Sequence, residues 1–176
     1  GVDIYHEQAV EDLFALKGRE TTKAVSVLVR DIVEAHKIAV IDKEIERVLY
    51  TLWPGPITVV LEAKKSVSRQ LTGGQDSVGI RCSSHPAVRE LLRAYENPIT
   101  TTSANRSGQE AALSLQDLNW LPAGVMKFPD EKLATNPGST VIKLESGRYQ
   151  ILRDGAVKAA RLKKFLETNG FQTSSA

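Results

Sequence analysis

Cysteine, histidine and aromatic residues are scarce in this chain. Its 176 residues include one cysteine, Cys82, and three histidines. A zinc ribbon, a zinc finger and a disulfide framework each need more ligands or partners than that. A lone cysteine fits a reducing compartment, and the expected location is the cytoplasm. Aromatics make up only 6% of residues, so leucine, valine, isoleucine and alanine must fill the core. No apolar run approaches the ~20 residues that span a bilayer, so no membrane role is expected. A bias in charge is missing too. The 23 Lys+Arg and 21 Asp+Glu leave a formal charge of +2, too little to argue for nucleic acid by itself.

Familiar catalytic signatures are also lacking. No GxGxxG follows a strand, and no GxxxxGK[ST] is present, because Gly73-Gly74 lacks the lysine that should follow. There is no GxSxG elbow and no HExxH pair. Cys82 and His85 lie three apart, but no third group is evident to orient them. His85 reads as an ordinary residue before a helix-opening proline.

Hydrophobic residues at 41% and charged residues at 25% are those of a folded globular chain. The length fits one domain, expected over residues 1–170, with a frayed tail over 171–176. Periodicity predicts helices over 6–17, stopped by Gly18, and over 42–52, capped by Asp42. A helix opens at Pro86, a short one runs from Ser114 to Leu121, and a last one covers 157–168. Strands are expected over 24–29, 57–61, 77–81 and 98–102. A hairpin of 140–144 and 149–152 turns at Ser146-Gly147. Strands and helices mix without strict alternation. The fold class is therefore α/β, a single domain on a twisted, open, mixed sheet.

Four polar clusters sit at predicted element ends. In Lys17-Gly18-Arg19, two cations two residues apart would project to one side of an extended chain and clamp a polyphosphate. A lysine complementing a helix C-terminus explains Lys17 as well. In Thr100 to Gly108, Ser103 and Asn105 alternate onto one face, ready to donate to phosphate or hydroxyl oxygens, or simply to form a Ser/Thr/Asn turn. In Ser77 to Arg81, Gly79 permits close approach and Arg81 ends the strand. A surface ion pair is the plain alternative to carboxylate binding. Asn136-Pro137-Gly138-Ser139-Thr140 delivers Ser139 to a strand start, and the hairpin brings Arg153 beside it. A plain turn and a local Arg153–Asp154 pair account for the same residues.

The order of these clusters is more informative than any one of them. LKGRE, LWPGPITVVL, SVGIR with HP close behind, TTSANRSG, PGSTVI and LRDGAV occur in series. The set resembles the YrdC-like family of threonylcarbamoyl-AMP synthases over about Asp3 to Val157. The family's paired KxR and SxN are matched by Lys17, Arg19, Ser103 and Asn105.

The resemblance implies a YrdC-like fold with a positively charged concave face. It implies a reaction joining L-threonine, bicarbonate and ATP, with Mg²⁺ arriving on the ATP, into threonylcarbamoyl-AMP and pyrophosphate. A transfer complex then carries the product to tRNA. Lys17, Arg19, Ser103 and Asn105 would be catalytic and hold ATP, with Ser77 and Arg153 as further nucleotide contacts. Arg81 would bind the threonine carboxylate, with Thr101, Ser139 and Lys23 lining the amino-acid pocket. No resident metal is implied. The chain departs from the pattern at Glu20, Ala24 and Ser83, where the family has proline. Gly1-Val2-Asp3 resembles the end of the family's PTxTxYG segment. The expectation is that a strand and the rest of that segment belong upstream, and that without them a sheet edge stands unpaired and the adenylate is not made.

A second reading is a non-catalytic paralogue that binds double-stranded RNA or tRNA, or acts as a translation factor, as some relatives do. Its sequence support is the basic run Lys158, Arg161, Lys163 and Lys164, which a solvated helix face explains as well.

Overall fold

Successive side chains of a strand point to opposite faces, and the strand sequences here exploit that alternation. The computed structural model describes residues 1–112, 114–127 and 138–174. Its strands are β1 (Ser26–Leu28), β2 (Ile57–Glu62), β3 (Ser77–Arg81), β4 (Ile99–Thr101), β5 (Thr140–Glu145), β6 (Arg148–Arg153) and β7 (Gln172–Thr173). They form one sheet in the order β4-β1-β3-β2-β5-β6-β7. β1/β3, β2/β5 and β6/β7 run parallel, and the other three pairs run antiparallel.

The register sorts the strand residues into two sets. Val27, Val59, Leu61, Val78, Ile80, Ile142, Leu144 and Tyr149 share one face and are buried. Ser26, Leu28, Ser77, Gly79, Arg81, Thr101, Val141 and Lys143 share the other, and all are partly open. The buried set joins helix residues such as Val10, Phe14, Ile38, Val48, Leu49, Leu162 and Leu166 in one core cluster. The sheet therefore has one covered apolar face and one open, largely polar face.

The helices are α1 (Glu7–Lys17), α2 (Ile32–Ile38), α3 (Lys43–Leu52), α4 (Pro86–Tyr95) and α5 (Ala159–Thr168). α1 starts where His6 Nδ1 accepts the Ala9 N–H, and it stops at Gly18, whose φ of 57° suits glycine. Asp42 caps α3 by accepting the Ile45 N–H at 2.8 Å. Pro86 occupies the first turn of α4, where its missing N–H costs nothing.

Four expectations change. The helix α2 was not predicted, although Asp31 and Glu34 form its start: Asp31 Oδ1 accepts the Glu34 N–H and Glu34 Oε2 accepts the Arg30 N–H. The helix expected from Ser114 to Leu121 is only a 3₁₀ turn at Gln116–Leu118, closely followed by Pro122. The tail expected to fray begins with buried Phe171, and Gln172–Thr173 pair with β6. Residues 175–176 lie outside the described residues. The edge expected to stand unpaired is met by the first residues: Thr100 N–H donates to Val2 O at 2.8 Å, and Asp3 bridges Ile99.

Candidate active site

Lys17 is the last residue of α1 and only 4% exposed. An ammonium buried that deeply needs acceptors, and the Ser103–Asn105 loop supplies them. Lys17 Nζ donates to Ser103 O at 2.5 Å, to Asn105 O at 2.7 Å and, more weakly, to Asn105 Oδ1 at 3.4 Å. The Ser107 N–H returns a bond to Lys17 O at 2.8 Å. Ser103 Oγ donates to Asn105 Oδ1, and Asn105 Nδ2 donates to Gln109 O, both at 2.5 Å. Lys17, Ser103 and Asn105 are far apart in sequence, and the fold makes them one assembly. Burial, and then the charge of Arg19, hold the Lys17 ammonium below the ordinary lysine range.

Arg19 does not join that assembly. Lys17 is helical and Gly18 is left-handed, so the chain reverses between the two cations instead of extending. Arg19 Nε donates to Lys23 O at 3.1 Å and Nη2 to Ala24 O at 2.7 Å. The geometric premise of a paired clamp projecting to one side is therefore corrected. Lys23 is exposed, pairs with Glu20 at 3.5 Å and lies three residues before Ser26, the partner of Thr101.

Arg81 ends β3 on the open face. Its Nε donates to Gly55 O at 3.1 Å. The Trp53–Pro54 peptide is cis, the Gly55 N–H bonds Cys82 O at 2.8 Å, and a side chain on Gly55 would strike Leu52 O. That loop fixes one edge of the guanidinium and leaves its two Nη groups without a protein partner among the described residues. Burial lowers the Arg81 pKa from the ordinary arginine value, so an incoming anion relieves an existing cost. Cys82 itself is buried, bonds Arg30 O at 3.3 Å, and has its thiol pushed up by burial, an inert setting.

Ser139 and Arg153 meet as the hairpin implied. Arg153 Nη2 donates to Ser139 O at 2.8 Å and reaches Ser139 Oγ at 3.2 Å. Asn136 and Pro137 lie outside the described residues. Close packing explains Gly155 here, since a Cβ on it would lie 2.4 Å from Thr140 N. Thr101 sits in β4 opposite Ser26, on the same face as Gly79 and Arg81. Ser77 shares that face but starts β3, about 13 Å from Arg81 at ~3.3 Å per residue. It borders a separate cavity of about 690 Å³ lined by Asp42, Glu62, Lys143 and Glu145.

Two hydroxyls on this face escaped the sequence reading. Thr58 is buried, with Oγ1 2.7 Å from Ser139 Oγ. Ser26 lies between Thr101 and Gly79. Each is a lone hydroxyl inside an apolar strand run, ITVVL or AVSVLV, and that was the available signal. Among the described residues, no three or more His, Cys, Asp or Glu cluster as metal ligands.

A family model named Sua5_yciO_yrdC, described as "Telomere recombination", matches residues 1–155. The chain belongs to the Sua5/YciO/YrdC family. Within that family it is 36% identical over 121 residues to a threonylcarbamoyl-AMP synthase of Serratia proteamaculans, covering 67% of this chain and 64% of that protein. The threonylcarbamoyl-AMP synthase of Idiomarina loihiensis is 37% identical over 165 residues, covering 89% and 86%. Among solved structures, P. abyssi Sua5 complexed with L-threonine superposes with a TM-score of 0.83 at 28% identity. That match covers 98% of this chain and 51% of the Sua5 chain, so this chain spans about half the length of that protein. E. coli YciO shares the fold at a TM-score of 0.75 and 23% identity. The mixed open sheet is thus the Sua5/YciO/YrdC architecture.

Proposed function

We propose that this chain makes threonylcarbamoyl-AMP from L-threonine, bicarbonate and ATP, releasing pyrophosphate, as a step toward N6-threonylcarbamoyladenosine in tRNA. The observation that carries the reading is the gathering of Arg81, Thr101 and the Ser139–Arg153 pair on one open sheet face. The Lys17-anchored loop leads directly out of β4. Relatives named threonylcarbamoyl-AMP synthase and a Sua5 structure holding L-threonine support the same reading.

The chemistry needs an oriented amino acid and a restrained triphosphate. The planar fork of Arg81 takes the threonine carboxylate, leaving the amine free. The amine nitrogen bonds to the carbon of bicarbonate, water leaves, and a carbamate forms. A carbamate oxygen then attacks the ATP α-phosphorus as the bond to pyrophosphate breaks. Ser103, Asn105, Arg19 and Arg153 contact the nucleotide, and their donors offset the developing charge. Mg²⁺ would arrive as part of the ATP substrate. A tRNA-modifying complex consumes the adenylate.

The test is pyrophosphate release by the full-length protein that contains this chain, with the adenylate detected by mass spectrometry. Release that needs threonine, bicarbonate and ATP together is the expected result, and release indifferent to threonine would defeat the reading. An RNA-binding paralogue would show thermal stabilisation by double-stranded RNA but not by ATP or threonine.

A further inference from the structure

The cations expected to clamp a polyphosphate are largely spent on the protein itself. Lys17 Nζ directs its donors at Ser103 O, Asn105 O and Asn105 Oδ1. An ammonium has three N–H groups, so none is left over for a ligand. Arg19 has Nε on Lys23 O and Nη2 on Ala24 O. The loop that Lys17 holds carries another cation. Arg106 directly follows Asn105 and is exposed. Its backbone is fixed on both sides: Asn105 O accepts from Lys17 Nζ at 2.7 Å, and the Ser107 N–H donates to Lys17 O at 2.8 Å. Its guanidinium makes no hydrogen bond or ion pair among the described residues. It lies over the ring of Trp120, 5.4 Å from the centroid. Trp120 is half-buried and follows the 3₁₀ turn Gln116–Leu118 further along the same stretch of chain.

The indole offers Arg106 a face but no acceptor. A cation over an aromatic ring at an exposed site is held weakly. A guanidinium that bonds a phosphate with two parallel N–H groups is held more strongly. Arg106 can therefore leave Trp120 for a phosphate without breaking any hydrogen bond among the described residues.

We infer that Arg106 is a phosphate-binding residue of the nucleotide site, resting on Trp120 until a triphosphate takes its guanidinium, while Lys17 holds the loop from which it reaches. The inference rests on the proposed synthase reading and names a cation for the triphosphate of its ATP that lies outside the KxR and SxN motifs.

The experiment uses the full-length protein that contains this chain, with two readouts. The first is pyrophosphate release at varied ATP and at varied threonine. Arg106→Ala should raise the ATP KM about tenfold or more, as the loss of one charge-assisted contact implies, with less than about a twofold change in the threonine KM. Arg106→Lys keeps the charge without the fork, and its ATP KM should fall between the two. The second readout is tryptophan emission on adding inorganic tripolyphosphate, a probe with no base to stack on the ring. Emission should change in the wild type and stay constant in Arg106→Ala. Trp120→Phe keeps a ring for Arg106 to rest on, so it should lose the emission change and keep the ATP KM. Trp53, the other tryptophan, is buried and bonded to Ile57 O, and it supplies a constant background. An ATP KM unmoved in Arg106→Ala, or wild-type emission indifferent to tripolyphosphate, overturns the inference while the synthase reading stands. Wild-type protein that neither binds ATP nor releases pyrophosphate overturns both.

Discussion

Lys17 carries a charge into the protein interior, and the backbone around Ser103 and Asn105 is arranged to receive it. Its ammonium directs its donors at that loop. Lys17→Met should therefore destabilise the fold by about 1.5–3 kcal/mol, the range for charge-assisted bonds whose partners are left buried; urea denaturation measures it. Unchanged stability would mean the loop holds itself. The folded-state pKa of Lys17 is lowered by burial and then by Arg19. Between that value and the ordinary lysine value the unfolded chain binds more protons, so this residue's contribution to stability rises with pH across the window. Nitrogen-detected NMR should show Lys17 Nζ titrating earlier than in the urea-unfolded chain. Arg81 invites a different substitution. Arg81→Lys keeps a charge but loses the fork, and it should raise the threonine KM several-fold more than the ATP KM. Equal changes in both would make Arg81 structural.

Among the elements, α3 shows how a cap links local and long-range order. Asp42 Oδ1 accepts the Ile45 N–H, and its Oδ2 accepts from Ser146 in the β5–β6 turn at 3.1 Å. Asp42→Ala should cost about 0.5–2 kcal/mol, the usual range for a lost N-cap. Asp42→Asn should recover most of that loss. A melting temperature unchanged in the alanine variant would mean neither bond contributes. The same scale explains which elements were legible. α3 has Ile45, Val48, Leu49 and Leu52 at helical spacing behind a capping aspartate, and it forms as read. α2 is seven residues long, too short for periodicity to stand out, and its start is visible only in the Asp31/Glu34 pair. β7 has two exposed residues, and pairing with β6 rather than composition makes it a strand.

For the whole molecule, the decisive feature among the described residues is a sheet with one face in the apolar core and the other mostly only partly buried. Neighbouring residues of β5 should respond very differently to truncation. Ile142 is fully buried, and Ile142→Ala should cost about 2–5 kcal/mol. Val141 faces the open side, and Val141→Ala should cost less than about 1 kcal/mol on the usual scale for partly exposed sites. Similar losses at both positions would mean that the open face is covered in solution. The asymmetry also explains why polar residues tolerate strand positions here. Ser26, Ser77, Arg81 and Thr101 alternate with core residues and never have to enter the core.

The sequence by itself determined the period-two alternation, the capped helices, the family motifs and the near-neutral charge. Each is a local property, set by residue spacing or by a cap a few positions away. Only the tertiary structure decided which motif residues meet. It joined Lys17 to Ser103 and Asn105, turned Arg19 away at a left-handed Gly18, and set Thr58 against Ser139, whose meeting with Arg153 the hairpin already implied. It also set Gly79 between Ser26 and Thr58, which stand on two other strands. Strand register sets which side chains share a face, and register depends on pairings between residues distant in the chain. Thr58 and Ser26 look like stray hydroxyls in apolar runs until those pairings place them on the open face.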